Sequence, residues 1–284
     1  MTRFIFTVTA GRSGQNSLAA LIEHSVANCH TGVEEPNIRP WTSGRLAVFE
    51  RRFRRRFFET HELLGRGRTL KAYAAGDELY LNRIARKRLN AIKRDLHRRE
   101  VSTYFDVSKY FGRGLHRGYL RALSRLSVVH LVRDPLKNMR SFLNRHKNFA
   151  LDNAAPSSPG NLLRLSFDEW EKGELYLWAW CEMSLRYLEI SAHPNTEISV
   201  EIRTDDLYVP ERMSARFDAL GLSCRSPLIS SPLNTNIAAG HGPTVVTAED
   251  VDTFQRFVRH IPPEVMERLT YLHTYDPQSA VTVD

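Results

Sequence analysis

The sequence predicts an α/β fold in which a central parallel sheet is flanked by helices. Three observations support this class. Short apolar runs of strand character recur at residues 4–8, 101–107, 126–132 and 197–202, with a shorter one near 26–33. Longer segments of helical periodicity separate them, which favours parallel strands. Polar turns follow several of the runs, and ligands bind at the carboxyl ends of parallel strands.

The first strand is followed by a loop that is rich in glycine and hydroxyl side chains and leads into a helix. Glycines allow the backbone to turn sharply, and the amides at the start of a helix lie at the positive end of its dipole. Arginine, serine and asparagine side chains add a cation and further hydrogen-bond donors. We interpret the loop as a phosphate or sulfate cradle formed by Gly11, Arg12, Ser13, Gly14, Gln15, Asn16 and Ser17.

This loop differs from the two best-known phosphate-binding patterns. Counted from Gly11, the second glycine and the lysine of a Walker A loop would fall on Asn16 and Ser17. The glycine spacing of a dinucleotide fingerprint is also missing. An ordinary strand-to-helix turn is the alternative interpretation.

The charge balance favours an anionic partner. The chain has 284 residues, with 40 Lys and Arg against 32 Asp and Glu and a formal net charge of +8. Nucleic acid, an acidic glycan, a nucleotide cofactor and a membrane surface all satisfy that balance. Cys29, Cys181 and Cys224 show neither metal-ligand spacing nor a disulfide framework, and no apolar run is long enough to span a bilayer. We therefore expect a cytoplasmic protein.

The segment from about 41 to 100 is interpreted as a helical insertion of two or three amphipathic helices. Its first part interleaves arginines with phenylalanines, and helical spacing predicts that the phenylalanines are buried and that the arginines form a solvated face: Arg51, Arg52, Arg54, Arg55, Arg56, Phe49, Phe53, Phe57 and Phe58. Its second part predicts an apolar stripe at Leu81, Ile84, Leu89, Ile92 and Leu96. Basic residues, Arg88 among them, are expected to cover the remaining surface of that part.

The strand predicted at 126–132 is also followed by polar residues. Arg133-Asp134-Pro135 stands there, and the proline suits the first turn of a helix, which would place Ser141 about two turns along. An arginine and a hydroxyl beside an amide cradle are suited to a second phosphate group. The alternative for Arg133 is a surface ion pair with Asp134 or a helix-cap role. Further along, Ser166 and Glu169 match a capping box and predict the start of a long helix.

Together these motifs resemble those of the sulfotransferases that use 3′-phosphoadenosine 5′-phosphosulfate (PAPS). The loop at 11–17 is similar to the 5′-phosphosulfate loop of carbohydrate-type and bacterial members. Arg133-Asp134-Pro135 with Ser141 matches the family's 3′-phosphate pattern. The strand end at 203–207 resembles another family motif, with Thr204 and Asp205 in place of tyrosine and glutamate. Glu35-Pro36 and the tryptophans of 178–180 are similar too, whereas 45–100 and the C-terminal third are not covered.

The resemblance implies a P-loop-like three-layer fold and a single sulfotransferase domain over residues 1–284. It implies transfer of a sulfuryl group from PAPS to a hydroxyl or amine of a small-molecule or carbohydrate acceptor, without a metal. Arg12 would contact the bridging and leaving oxygens, the amides of 13–17 the 5′-phosphate, and Arg133 with Ser141 the 3′-phosphate. Asn236 would belong to a loop that closes over the cofactor. An acidic acceptor would suit the basic insertion.

An acceptor hydroxyl must lose a proton, so a general base is expected near the sulfur. The resemblance places an acid at Glu35, which makes it the first choice, with Glu34 as its rival. His30, expected at the same strand end, would also serve near neutral pH. Asp106 and Lys109, at the end of the third strand (101–107), are expected either to face the acceptor or the sulfonate or to form structural ion pairs.

Two other functions are weighed against this one. A nucleotide-dependent kinase of similar fold is disfavoured by the missing Walker lysine and by the cation, Arg133, that ends the strand at 126–132. A basic nucleic-acid-binding protein is suggested by the arginine-rich segment. The predicted burial of its phenylalanines disfavours that function.

Overall fold

Five parallel strands form one central sheet in the computed structural model of the protein, which describes residues 2–33, 42–57, 60–145, 156–166, 169–225 and 240–281. The strands are β1 (Arg3–Val8), β2 (Cys29–Gly32), β3 (Thr103–Asp106), β4 (Leu126–Val132) and β5 (Thr196–Arg203). Their order across the sheet is β2-β3-β1-β4-β5, with every neighbouring pair parallel. The predicted α/β class with a parallel sheet is confirmed.

Helices make the connections between the strands. Those before β4 are α1 (Gln15–Ser25), α2 (Gly44–Phe57), α3 (Thr60–Leu64), α4 (Arg68–Ala75), α5 (Glu78–Arg98) and α6 (His116–Ala122), with a π-helical turn at Phe111–Leu115. Those after β4 are α7 (Pro135–Leu143), α8 (Lys172–Ser191), α9 (Pro210–Ala219), α10 (Ala248–Val258), α11 (Pro263–Arg268) and α12 (Thr270–His273). Short 3-10 turns cover Thr204–Tyr208 and Pro277–Ala280.

The sheet is covered by helices on both faces because alternate residues of its strands point to opposite sides. On β1, Phe4 and Phe6 join an apolar core that includes residues of α5, α6, α8 and α10, whereas Ile5 joins a second core with residues of α1 and α9. All seven residues of β4 are buried, as expected for a central parallel strand. The result is three layers: helices, sheet, helices.

The connection between β2 and β3 differs from the predicted insertion in two ways. It contains four helices rather than two or three, and α5 belongs to the core of the molecule. The predicted stripe of α5 is confirmed, since Leu81, Ile84, Leu89, Ile92 and Leu96 are all buried. The prediction that Phe49, Phe53 and Phe57 are buried is wrong: all three are exposed. Helical spacing places them on one face but does not ensure that another element covers that face. Phe58 lies outside the described residues.

Arg88 also departs from the predicted pattern. It was expected on the solvated surface of α5, yet its side chain is 1% exposed and forms an ion pair with Asp106 at the end of β3. The second carboxylate oxygen of Asp106 accepts a hydrogen bond from the Ser108 amide at 2.8 Å. Of the two roles considered for Asp106, the structure thus shows the structural ion pair.

The long helix α8 begins later than expected. It starts at Lys172, and its capping box is formed by Glu171 and Glu174 instead of Ser166 and Glu169. Arg256 of α10 binds Glu171 at 2.7 Å and lies 3.6 Å from Glu174. These contacts from another helix fix the start of α8, and the local sequence pattern could not include them.

Composition suggested no membrane-spanning segment. In the part of the chain that the structure describes, none of the helices combines the length and the apolar character needed to cross a membrane. Cys29, Cys181 and Cys224 are free thiols.

We expect Asp106→Asn to lower the free energy of unfolding by about 3–5 kcal/mol, because it leaves the buried guanidinium of Arg88 without its compensating charge. Urea denaturation followed by circular dichroism measures the loss. The matched control is Glu197→Gln, which breaks an ion pair with Arg125 whose two side chains are both exposed by more than half. Glu197→Gln should lower the free energy of unfolding by less than about 1 kcal/mol. Equal losses in the two variants would contradict a structural role for Asp106.

Candidate functional site

The loop between β1 and α1 has an unusual backbone. Gly11, Arg12 and Gly14 all have positive φ values, of 96°, 63° and 86°. The left-handed conformation is easy for glycine and strained for arginine, and such strain is found most often at functional sites. Gly14 caps α1 without any side-chain hydrogen bond, so the first amides of α1 are not satisfied by a capping side chain.

Three successive carbonyl groups of this loop are held by side chains from three other elements. The Tyr176 hydroxyl of α8 donates to the Gly11 carbonyl at 2.7 Å. The Arg133 guanidinium, at the end of β4, donates to the Arg12 carbonyl at 3.3 Å. The Thr204 hydroxyl, after β5, donates to the Ser13 carbonyl at 3.0 Å.

These bonds determine where the amides of the loop point. In a trans peptide the N–H is directed opposite to the C=O of the same peptide plane. The amides of Arg12, Ser13 and Gly14 therefore each face away from the donor that holds the carbonyl of the same peptide plane. Successive amides in such a concave turn form an anion-binding nest.

Asn138 of α7 also forms hydrogen bonds with this loop. With its amide oriented so that the oxygen accepts from the Ser13 hydroxyl at 3.2 Å, its nitrogen donates to the Gly11 and Arg12 carbonyls at 3.0 and 3.1 Å. Asn138 and Ser13 are both buried. The loop is thus held by hydrogen bonds from α7 and α8 as well as from the ends of β4 and β5.

The two glycines of the loop pack closely against other parts of the site. A Cβ atom on Gly14 would lie 2.6 Å from Cδ1 of the buried Leu207, so Leu207 would have to shift to admit it. A Cβ atom on Gly11 would lie 3.3 Å from Cδ of Lys109, so the stem of that lysine runs beside the loop. Lys109 thereby brings a further cation from the end of β3.

The electrostatic environment of the loop is positive. Burial lowers the pKa of the Arg12 side chain, and the positive charges of Arg145 and Arg133 lower it further. Burial also lowers the pKa of Arg133, an effect that Tyr176 and Asp205 partly offset. Arg113, which is 6% exposed, acts on the same Tyr176 hydroxyl. Several cations therefore meet at one edge of the sheet, where an anion would be stabilised.

The surroundings of Arg133 decide between its two proposed roles. Asp134 caps α7 by accepting from the Lys137 amide at 2.8 Å, and it accepts a second bond from the Tyr275 hydroxyl at 2.8 Å. The Arg133 carbonyl accepts from the Trp180 indole at 3.0 Å. The capping role thus falls to Asp134, and the guanidinium of Arg133 reaches the loop.

The remaining predicted residues of the cradle lie at the start of α1 and along α7. Ser17 is buried in the first turn of α1, and Asn16 is half-buried beside it. The Gln15 side chain donates to the Val107 carbonyl at 2.9 Å, which ties α1 to the end of β3. Ser141 is buried, one turn beyond Asn138 on α7.

His30 does not lie where it was expected. It pairs with Tyr104, which pairs with Phe4, so His30 is level with the start of β1 and not with its end. Its Nε2 lies 3.6 Å from the Asp95 carboxylate near the end of α5. The expectation that His30 stands at the carboxyl end of the strand is wrong. Glu34, Glu35 and Asn236 lie outside the described residues.

Several residues of the site were missed by sequence reasoning. Asn138 and Tyr176 stand on α7 and α8 at positions outside the motifs recognised there, and Arg113 stands in the π-helical turn, which carried no motif. Their roles arise from contacts distant in the chain. Asn138 alone left a signal, because it lies three residues before Ser141 and therefore on the same face of the helix. Thr204 was noted only as a departure from a family motif.

The comparisons with known proteins give no match: no protein-family model matches the sequence, and no curated protein does. The function must therefore be argued from the residues and geometry of the site.

We expect Gly14→Ala to be far more destabilising than Gly76→Ala. Both glycines have similar left-handed backbones, with φ and ψ of 86° and 20° at Gly14 and of 71° and 22° at Gly76. A Cβ on Gly76 meets nothing within 4 Å, so that variant should lose only about 1–2 kcal/mol from backbone strain. The contact with Leu207 should cost Gly14→Ala a further 1–3 kcal/mol or so.

Urea denaturation of both variants measures these losses. Equal free energies of unfolding would show that the close packing between Gly14 and Leu207 is not a constraint on the loop.

Proposed function

We propose that the protein is a PAPS-dependent sulfotransferase that transfers a sulfuryl group to a hydroxyl or amine of a small-molecule or carbohydrate acceptor. The motif resemblance suggests this function, and one observation carries it. The Arg133 guanidinium lies 3.3 Å from the Arg12 carbonyl, so the two phosphate sites expected from the sequence belong to one edge of the sheet. A doubly phosphorylated adenosine needs two such sites side by side.

The residues at this edge fit a nucleotide with several negative charges. The amides of 12–14 and the first turn of α1 would hold the 5′-phosphate. Arg133 carries five N–H donors, of which one bonds to the loop among the residues that the structure describes, and we assign others to the 3′-phosphate beside Ser141. Charge-assisted hydrogen bonds of this kind are the strong ones in proteins. When bound, PAPS supplies the sulfuryl group.

The protein's own contribution is positioning and charge stabilisation. Arg12 lies within the loop after β1, and the stem of Lys109, which follows the adjacent strand β3, runs beside that loop. Both cations would lie close to the leaving oxygens and the sulfonate. Partial burial of Arg12 strengthens its electrostatic action, because water screens it less. Donors fixed in advance by Tyr176, Asn138 and Thr204 need little rearrangement when charge develops.

The finer fold description is part of the proposal. The loop follows β1, which lies in the middle of the sheet between β3 and β4, and leads directly into α1. This arrangement supports a P-loop-like three-layer fold without the Walker lysine. We propose one sulfotransferase domain over residues 1–284.

Glu35 is our proposed general base, with Glu34 as the alternative. β2 ends at Gly32, which pairs with Asp106 at the carboxyl end of β3, and the chain reaches Glu34 two residues later. In the sequence, Glu34 and Glu35 therefore come directly after the carboxyl end of β2. His30 is level with Phe4, near the start of β1, so we do not propose it as the base.

Nucleotide binding, measured as a shift in Tm, tests whether PAPS is the donor. Adenosine 3′,5′-bisphosphate at about a hundred times its Kd should raise the Tm by roughly 5 °C or more without magnesium. ATP with magnesium should raise it little. Arg133→Ala should abolish most of the shift, because it removes the cation that joins the two sites. The control is Arg125→Ala, an exposed arginine that directly precedes β4 at the opposite end of that strand.

The opposite ranking of the two nucleotides would favour a kinase. An unchanged shift in Arg133→Ala would remove Arg133 from the nucleotide site.

The rate of sulfuryl transfer tests whether Glu35 is the general base. Glu35→Gln should keep the affinity for adenosine 3′,5′-bisphosphate and lose about 10²–10⁴-fold in rate, because it cannot accept the proton of the acceptor. The rate is measured by mass spectrometry as the gain of one sulfo group in an acceptor screen with PAPS supplied. Glu34→Gln is the matched control. Full activity in Glu35→Gln with loss in Glu34→Gln would transfer the role to Glu34.

A further inference from the structure

The helix α2 (Gly44–Phe57) exposes large apolar side chains that the rest of the protein does not cover. Leu46, Phe49, Phe53 and Phe57 are 69%, 71%, 50% and 62% exposed. Among the α2 residues whose burial the structure describes, Ala47 is the buried one, and α2 packs mainly against the short helix α3. Exposed apolar patches of this kind usually mark an interaction surface.

These side chains form one continuous stripe. At 3.6 residues per turn, the four positions fall within roughly 80° of the helix circumference. The Phe53 and Phe57 rings are in contact, with centroids 4.5 Å apart. We call the side chains of Leu46, Phe49, Phe53 and Phe57 the aromatic stripe.

The same helix is strongly basic. It contains six arginines and one glutamate: Arg45, Arg51, Arg52, Arg54, Arg55, Arg56 and Glu50. The helical positions of Arg45 and Arg52 fall within roughly 20° of each other, directly beside the aromatic stripe. The Arg45 and Arg52 side chains are exposed. Glu50 accepts hydrogen bonds from the Thr42 amide and hydroxyl at 3.1 and 2.8 Å, at the start of the helix.

We propose that α2 binds an anionic phospholipid surface, lying in the plane of the membrane interface. The aromatic stripe would enter the boundary between head groups and acyl chains, and the adjacent arginines would contact lipid phosphates and anionic head groups. A helix with aromatic and aliphatic residues on one side and arginines beside them has the composition of an interfacial helix. Each arginine near an anionic leaflet adds to the attraction.

Charge complementarity favours lipid over a second copy of this chain. An interface through the stripes of two copies of α2 would bring the exposed Arg45 and Arg52 of each copy into the same contact, whereas an anionic leaflet neutralises them. Leu46 within the stripe and the contact between the Phe53 and Phe57 rings favour lipid over nucleic acid, because bases stack on free aromatic faces and gain little from a leucine side chain.

Vesicle co-sedimentation of the full chain tests the proposal. The protein should bind vesicles of phosphatidylcholine with about one third phosphatidylserine and should not bind pure phosphatidylcholine vesicles. The double variant Phe49→Ser with Phe53→Ser should reduce binding about tenfold or more, because it removes the inserted side chains. Leu79→Ser, at an apolar residue of α5 that is 83% exposed, is the matched control and should bind like the natural protein. Circular dichroism melts confirm that each variant is folded.

A second pair of variants tests whether binding depends on the arginines of α2 themselves or only on the net charge of the protein. Arg45→Glu with Arg52→Glu should lose binding, whereas Arg98→Glu with Arg125→Glu makes the same change in net charge at exposed sites outside α2 and should retain most of it. Equal losses in these two variants, or binding that persists in the phenylalanine variant, would overturn the proposal. It is also overturned if vesicles are not bound and the phenylalanine variant instead dissociates a dimer in analytical ultracentrifugation or releases a DNA oligonucleotide.

Discussion

The hydrogen bonds to three successive carbonyls, those of Gly11, Arg12 and Ser13, are the constraint on which the site depends. Each bond comes from a different element: α8, the end of β4 and the turn after β5. Because the carbonyls are held on one side, the amides are presented on the other, and the strained φ of Arg12 is maintained by contacts far from it in sequence. The sheet and its helices therefore act as the support for one short turn.

The arginines of the core and the arginine of the loop differ in which charges surround them. Arg88 and Arg186 are almost completely buried, and each forms an ion pair with an equally buried carboxylate, Asp106 and Glu182. In each of these pairs a buried carboxylate compensates the charge of a buried arginine. The charges that act on Arg12 include those of two further arginines, which lower its pKa in addition to burial. A cation that is partly desolvated among other cations is suited to an anionic ligand, and this contrast supports the proposed nucleotide site.

Sequence reasoning predicted the elements better than the contacts between them. Strong periodicity located the strands and the stripe of α5, and the loop at 11–17 was recognised because glycine, hydroxyl and amide residues have local conformational meanings. Burial was harder. Arg88 and the phenylalanines of α2 follow the same helical spacing, yet Arg88 is buried and the phenylalanines are exposed, because spacing sets the face and neighbouring elements decide what covers it. The supporting residues Tyr176 and Asn138 could not be found, since only the folded chain brings them to the loop.

The anchors of the turn have a consequence for synthesis of the chain. The three donors lie 121, 165 and 191 residues away from the carbonyls that they hold. Contacts of such long range form late, after the intervening segments have collapsed. A nascent chain that has exposed only its first strand and helix therefore lacks the contacts that shape the proposed anion site, and those contacts are complete only once Thr204, directly after β5, has left the ribosome. The loop is in this way shaped only when the whole sheet exists.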